Sequence, residues 1–134
     1  MKYKEEKVHY GSGQIKRHYF LDESGKTCGE NWSYHESGQL KWHYINRNDK
    51  DYGEVKAFNS DGTLRHHCLK DGKGNKLATV IKYDMPSTHS EEQLIEIAKE
   101  HNLPLLSDLP KTEAERTHWN LKWPDLPLLP IPSK

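Results

Sequence analysis

The chain writes nearly the same phrase three times: HYGSGQIKRHY at 9–19, YHESGQLKWHY at 34–44 and FNSDGTLRHHC at 58–68. Gly13, Gly38 and Gly62 fall 25 and 24 residues apart; Ile15, Leu40 and Leu64 follow them, and Lys16, Lys41 and Arg65 come next. A second column, Gly29 and Gly53 with Ala78 in the last copy, precedes ENWSY, EVKAF and TVIKY, which end in Tyr34, Phe58 and Tyr83. A unit of about 24 residues with two strand-like runs and a Ser-Gly or Asp-Gly pair between them reads as a β-hairpin, because glycine accepts the positive φ of a tight turn. One hairpin buries too little surface to stand alone, so successive copies must pair edge to edge. The repeat therefore predicts an antiparallel meander over residues 1–84.

Side chains alternate between the two faces of a strand. That rule sends Ile15, Arg17 and Tyr19, then Leu40, Trp42 and Tyr44, then Leu64, His66 and Cys68 to one face. Lys16 and His18, Lys41 and His43, and Arg65 and His67 go to the other. Repetition turns these positions into stripes across the sheet.

With 134 residues the chain has room for one hydrophobic core. Apolar residues make up 33% of it and charged residues 30%, which taken alone approaches the composition of disordered chains. Aromatic residues at 10%, regular glycine punctuation and a formal net charge of zero argue instead for a thin sheet anchored by aromatics. The N-terminus MKYKEEKVHY has no apolar segment of the signal-peptide kind, and no run approaches the ~18 apolar residues of a membrane span, so a cytoplasmic location is expected. Cys28 and Cys68 are too few for a disulfide scaffold and are expected to be reduced structural thiols.

The character of the chain changes near Asp84. All nine glycines lie between Gly11 and Gly74, and all seven prolines between Pro86 and Pro132. Residues 85–134 therefore read as an appendage to the repeats. Within it, HSEEQLIEIAKEHNL predicts a helix with Ser90 as N-cap, Gln93 completing a capping box, and Leu94, Ile95, Ile97 and Ala98 as an apolar face that the sheet would cover. A short helix is expected around Thr112 to Trp119, and LPLLPIP has the composition of a polyproline II strand.

The phrase YHESGQLK, with CGENWSY before it, resembles the MORN-type repeat, specifically the variant found in bacterial antitoxin and immunity proteins. The resemblance covers residues 9 to 83; copy one departs from it at His9, where an aromatic is expected, and copy four keeps only GNKLATVIKY. It implies a mainly β fold, an antiparallel meander of MORN-like hairpins with a C-terminal α-helix and a proline-rich extended tail packed on it. It also implies a cognate toxin domain as binding partner, neutralised stoichiometrically, and carries no catalytic motif. The alternative is a MORN-type scaffold contacting another protein or a phospholipid surface.

The nine histidines raise the question of metal or catalysis, and His18, His43 and His67 share a column. Same-column residues of successive hairpins are about 9.5 Å apart, whereas zinc needs its ligand nitrogens at about 2.0–2.1 Å. No metal, cofactor or enzymatic activity is expected on this ground and from the lack of phosphate-loop, nucleophile-elbow or paired-cysteine motifs. The candidate partner-binding residues are Lys16, His18, Trp32, Lys41, Trp42, His43, Tyr44, Arg65 and His67. Three cations at regular spacing suit an acidic partner, and tryptophan and tyrosine dominate binding hot spots. Nucleic acid is not expected, since a zero net charge provides no strong basic footprint. The oligomeric state is left open.

Overall fold

Gly13, Gly38 and Gly62 have φ of +95°, +96° and +91°, so each Ser-Gly or Asp-Gly pair turns the chain back on itself as its sequence requires. The computed structural model describes residues 3–82 and 87–128. Its strands are β1 (Lys4–His9), β2 (Ile15–Leu21), β3 (Thr27–Tyr34), β4 (Leu40–Arg47), β5 (Lys50–Phe58), β6 (Leu64–Asp71) and β7 (Lys76–Lys82). They form one sheet in sequential order with every neighbouring pair antiparallel. The chain is thus the mainly β meander that the repeat predicts.

Two kinds of β-bulge recur with the repeat. Inside each hairpin Val8, Ser33 and Ala57 lie opposite Arg17, Trp42 and His66, whereas the next residues, His9, Tyr34 and Phe58, lie opposite Ile15, Leu40 and Leu64. The extra residues are Lys16, Lys41 and Arg65. A bulge inserts one residue on one strand and shifts the alternation beyond it. Ile15, Leu40 and Leu64 therefore do not continue the face of Arg17, Trp42 and His66, as strict alternation assigned them. Between hairpins the register shifts again at Gly29 and Gly53, whose φ values are +74° and +97°. Away from the bulges the predicted stripes hold: Lys7, His18, Trp32, His43, Lys56, His67 and Ile81 pair in one unbroken row across all seven strands.

The appendage covers one end of the face that carries this row. Helix α1 (Glu91–Glu100) has the predicted capping box: the Ser90 side chain accepts from Gln93 N–H, and the Gln93 side chain accepts from Ser90 N–H. Its Leu94 and Ala98 are fully buried with Leu69 and Ala78 of the sheet and with Leu103 and Leu105. Each such leucine is worth roughly 1.5–3 kcal/mol relative to an exposed one, which is what holds the helix on β6 and β7. A 3-10 turn (Leu106–Asp108) leads to helix α2 (Glu113–Lys122), capped by Thr112 and a turn longer than the sequence pattern suggests. Trp119 and Trp123 of this second unit enclose Ile45 together with Leu106, Leu126 and Leu128.

The appendage is itself a duplication. Capped helix α1 is followed by Leu103-Pro104-Leu105-Leu106, and capped helix α2 by Leu126-Pro127-Leu128-Leu129. Tyr83, the boundary at Asp84, and the tail from Leu129 onward, with most of the expected polyproline II stretch, lie outside the described residues. No helix among the described residues is long and apolar enough to cross a membrane.

Candidate partner-binding surface

The glycine bulges are the sockets of the appendage. A bulge releases backbone groups from the ladder, and a buried N–H must find another acceptor. At the first socket Glu30 N–H donates to Pro127 O at 2.9 Å, and at the second Glu54 N–H donates to Pro104 O at 3.0 Å. The prolines come so close that a Cβ on Gly29 or Gly53 would sit 2.2 Å from the proline carbonyl oxygen. At the third position Thr79 takes the place of the glutamate, donating its N–H to Thr88 Oγ1 at 3.1 Å and accepting Thr88 N–H at 2.9 Å. Each socket thus holds one segment of the C-terminal half.

The glutamates beside these glycines also explain the histidine column. His18 pairs with Glu5, His43 with Glu30 at 3.0 Å, and His67 with Glu54 at 2.5 Å. Each histidine thus reaches diagonally to a carboxylate on the neighbouring strand. Burial deepens along the series: the glutamate side chain is 43% exposed in the first pair, 7% in the second and 6% in the third. Burial on its own raises the Glu54 carboxyl pKa. Hydrogen bonds from His67 and from Leu106 N–H, with the charges of Lys56 and His67, outweigh it and hold Glu54 below the ordinary glutamate value. Glu54 therefore joins sheet and appendage twice, through its own N–H to Pro104 and through Oε1 to Leu106 N at 2.7 Å. The signal was in the sequence as the Gly-Glu pairs at 29–30 and 53–54, which period-2 reasoning passed over.

Of the nine candidates, four share one row of the sheet. His18, Trp32, His43 and His67 lie in the long row, with the Trp32 ring stacked on His43 at 4.0 Å. His67 is only 2% exposed and turned to Glu54, so its imidazole is not at the surface. Lys16, Lys41 and Arg65 are exposed at the hairpin bulges, one step nearer the turns. Trp42 and Tyr44 are on the opposite face, Trp42 edge-on to Tyr44 at 6.3 Å and 5.8 Å from His66. The aromatics on the face of the histidine row are instead Trp32, Tyr34 and Phe58.

The opposite face carries a polar chain. The Arg17 guanidinium lies 4.1 Å over Tyr19, Arg17 Nε donates to Asn31 at 3.4 Å, Asn31 to Asn46 at 3.1 Å, and Asn46 to Asp51 at 3.1 Å. Burial raises the Asp51 carboxyl pKa against the opposing pull of Lys70 and Asn46. Burial also raises that of the Tyr44 phenol.

Cys28 and Cys68 are buried thiols outside any disulfide, and burial, followed by Asp22 and Asp125, pushes the Cys28 thiol up to about 11. Such a group stays protonated and unreactive near neutrality. Among the described residues no group of three or more His, Cys, Asp or Glu side chains could hold a metal ion. Set against family models, curated proteins and solved structures, the chain matches none.

Proposed function

We propose that the chain is an antitoxin or immunity protein that binds a cognate bacterial toxin domain one-to-one and neutralises it by contact. The observation carrying this reading is the division of labour on the sheet. The chain covers one end of one face with its own appendage, and it leaves a regular array of charged and aromatic side chains uncovered. Stoichiometric inhibition asks for such a shaped surface and for no chemical step. The resemblance of the repeats to the antitoxin variant of the MORN motif supplies the kind of partner, and a cytoplasmic site of action goes with it.

The test is co-purification with the toxin domain encoded beside this chain, together with growth of cells expressing that domain with and without it. A tight one-to-one complex and restored growth support the reading. Continued toxicity with no complex overturns it, and a search for a scaffold partner takes its place.

A further inference from the structure

The two helices of the appendage treat their apolar residues differently. In α1, Leu94 and Ala98 are buried on the sheet and Ile95 and Ile97 are half-buried. Helix α2 buries Trp119 but leaves Leu121 79% exposed, against 42% for Val8 and 37% for Ile81, the other exposed large apolar side chains among the described residues. Between the 3-10 turn and α2 lies an open hollow of about 750 Å³. Its lining includes the buried Trp119 and Trp123, the half-buried Leu109, and the exposed Ala114, Glu115 and Lys122. Residues seven apart return to nearly the same side of a helix, two turns along. Ala114 and Leu121 therefore share one strip of α2, and Glu115 and Lys122 share the strip beside it.

We infer that this side of α2 is the contact through which a second copy of the chain binds, the two helices lying antiparallel about a two-fold axis near His118. The inference is independent of the toxin-binding reading. A two-fold contact must be complementary to itself, and this one is. An axis at His118 sets each Leu121 against Ala114 of the other copy, the smallest side chain of the helix, at the edge of the hollow. It also sets each Glu115 against Lys122 of the other copy, so two ion pairs of opposite sign form, whereas parallel helices would oppose like charges. The strip carries one charge of each sign and so favours neither an acidic nor a basic partner; its own image supplies the opposite sign at both positions. Glu115 Oε1 accepts Lys111 N–H at 2.9 Å, which holds the carboxylate in place. A helix of 10 residues is about 15 Å long and contributes less than the roughly 800 Å² per partner of a standard interface. The dimer is accordingly weak, with a dissociation constant in the micromolar range or above.

The experiment is sedimentation equilibrium of the full chain from low micromolar to near-millimolar concentration. The average mass rises towards that of a dimer as concentration increases. L121E raises the dissociation constant about tenfold or more, since it sets a charge in the apolar contact. K122E weakens association several-fold, and E115K/K122E, which exchanges the two charges, restores it. Denaturation followed through Trp119 and Trp123 fluorescence confirms that each variant is folded. A chain that stays monomeric throughout overturns the inference. So does association that L121E leaves unchanged, which moves the contact to another face, and so does a double exchange that fails to restore K122E. A monomeric chain whose complex with the toxin domain encoded beside it is weakened by L121E also overturns it, and assigns the strip to the toxin while keeping the antitoxin reading.

Discussion

The two bulges of each repeat lie on the same sheet, yet one is closed and the other open. At the glycine bulge the positive φ and the missing Cβ let a proline carbonyl approach Glu30 or Glu54, and the site is filled by the chain itself. At the basic bulge the extra residue, Lys16, Lys41 or Arg65, carries a long charged side chain and is exposed. The same backbone irregularity thus becomes an internal joint or an exposed position according to one side chain. A thin, polar sheet acquires its core where the appendage lands on it, around Ile45 and Leu69, and stays solvated at the hairpin turns.

The comparison is broken most severely at Gly53. Gly53→Ala sets a Cβ 2.2 Å from Pro104 O at a φ of +97°, and the backbone carbonyl cannot give way. About 3 kcal/mol or more of stability is lost, read by chemical denaturation with tryptophan fluorescence following Trp119 and Trp123. Gly13→Ala, with a similar φ but nothing within 4 Å, costs only about 1–2 kcal/mol, so the difference measures the proline contact.

Glu54→Gln comes next, at about 2 kcal/mol, because it weakens the charge-assisted bonds to His67 and Leu106. The folded carboxyl has a depressed pKa, so its contribution is fully present above the ordinary value of 4.5 and is lost as pH falls through the folded value. Melting temperatures of the two proteins therefore converge on acidification below that point; a constant gap down to strong acid speaks against Glu54 as the linked group.

Arg47→Ala sharpens the comparison on the appendage side. Its Nη2 donates to Asp125 Oδ1 at 2.9 Å, its Nε lies 2.8 Å from Oδ2 in the ion pair, and the guanidinium is 4.2 Å from the Tyr52 ring centroid, but both partners of the ion pair are about a third exposed. About 1 kcal/mol is expected, seen as faster hydrogen exchange in α2 before global unfolding. Lys41→Ala at the open bulge changes stability by no more than ~0.5 kcal/mol in the same denaturation assay.

Legibility in the sequence follows how local each feature is. The turn glycines, the Ser90 capping box and the shared row of His18, His43 and His67 depend on residues close in the chain or on strict period, and all could be read directly. Face assignment failed at Ile15, Leu40 and Leu64 because a bulge adds one residue with no composition of its own to announce it. Trp42 and Tyr44 lie across the sheet from the histidine row, as alternation alone requires. The two Leu-Pro-Leu-Leu stretches were visible as text, but nothing local says that a proline carbonyl will meet a glycine some 50 residues upstream in one case and 98 in the other.

The amino-acid sequence by itself determined the hairpin array, its period, its turns and the helix caps, since each rests on φ preferences and hydrogen bonds within a few residues. Only the tertiary structure decided where the ladder bulges, which freed N–H groups the appendage takes up, and hence which end of the face stays open. Those outcomes depend on strand pairing and on acceptors supplied from far along the chain, and a buried N–H can be satisfied only once both partners are in place.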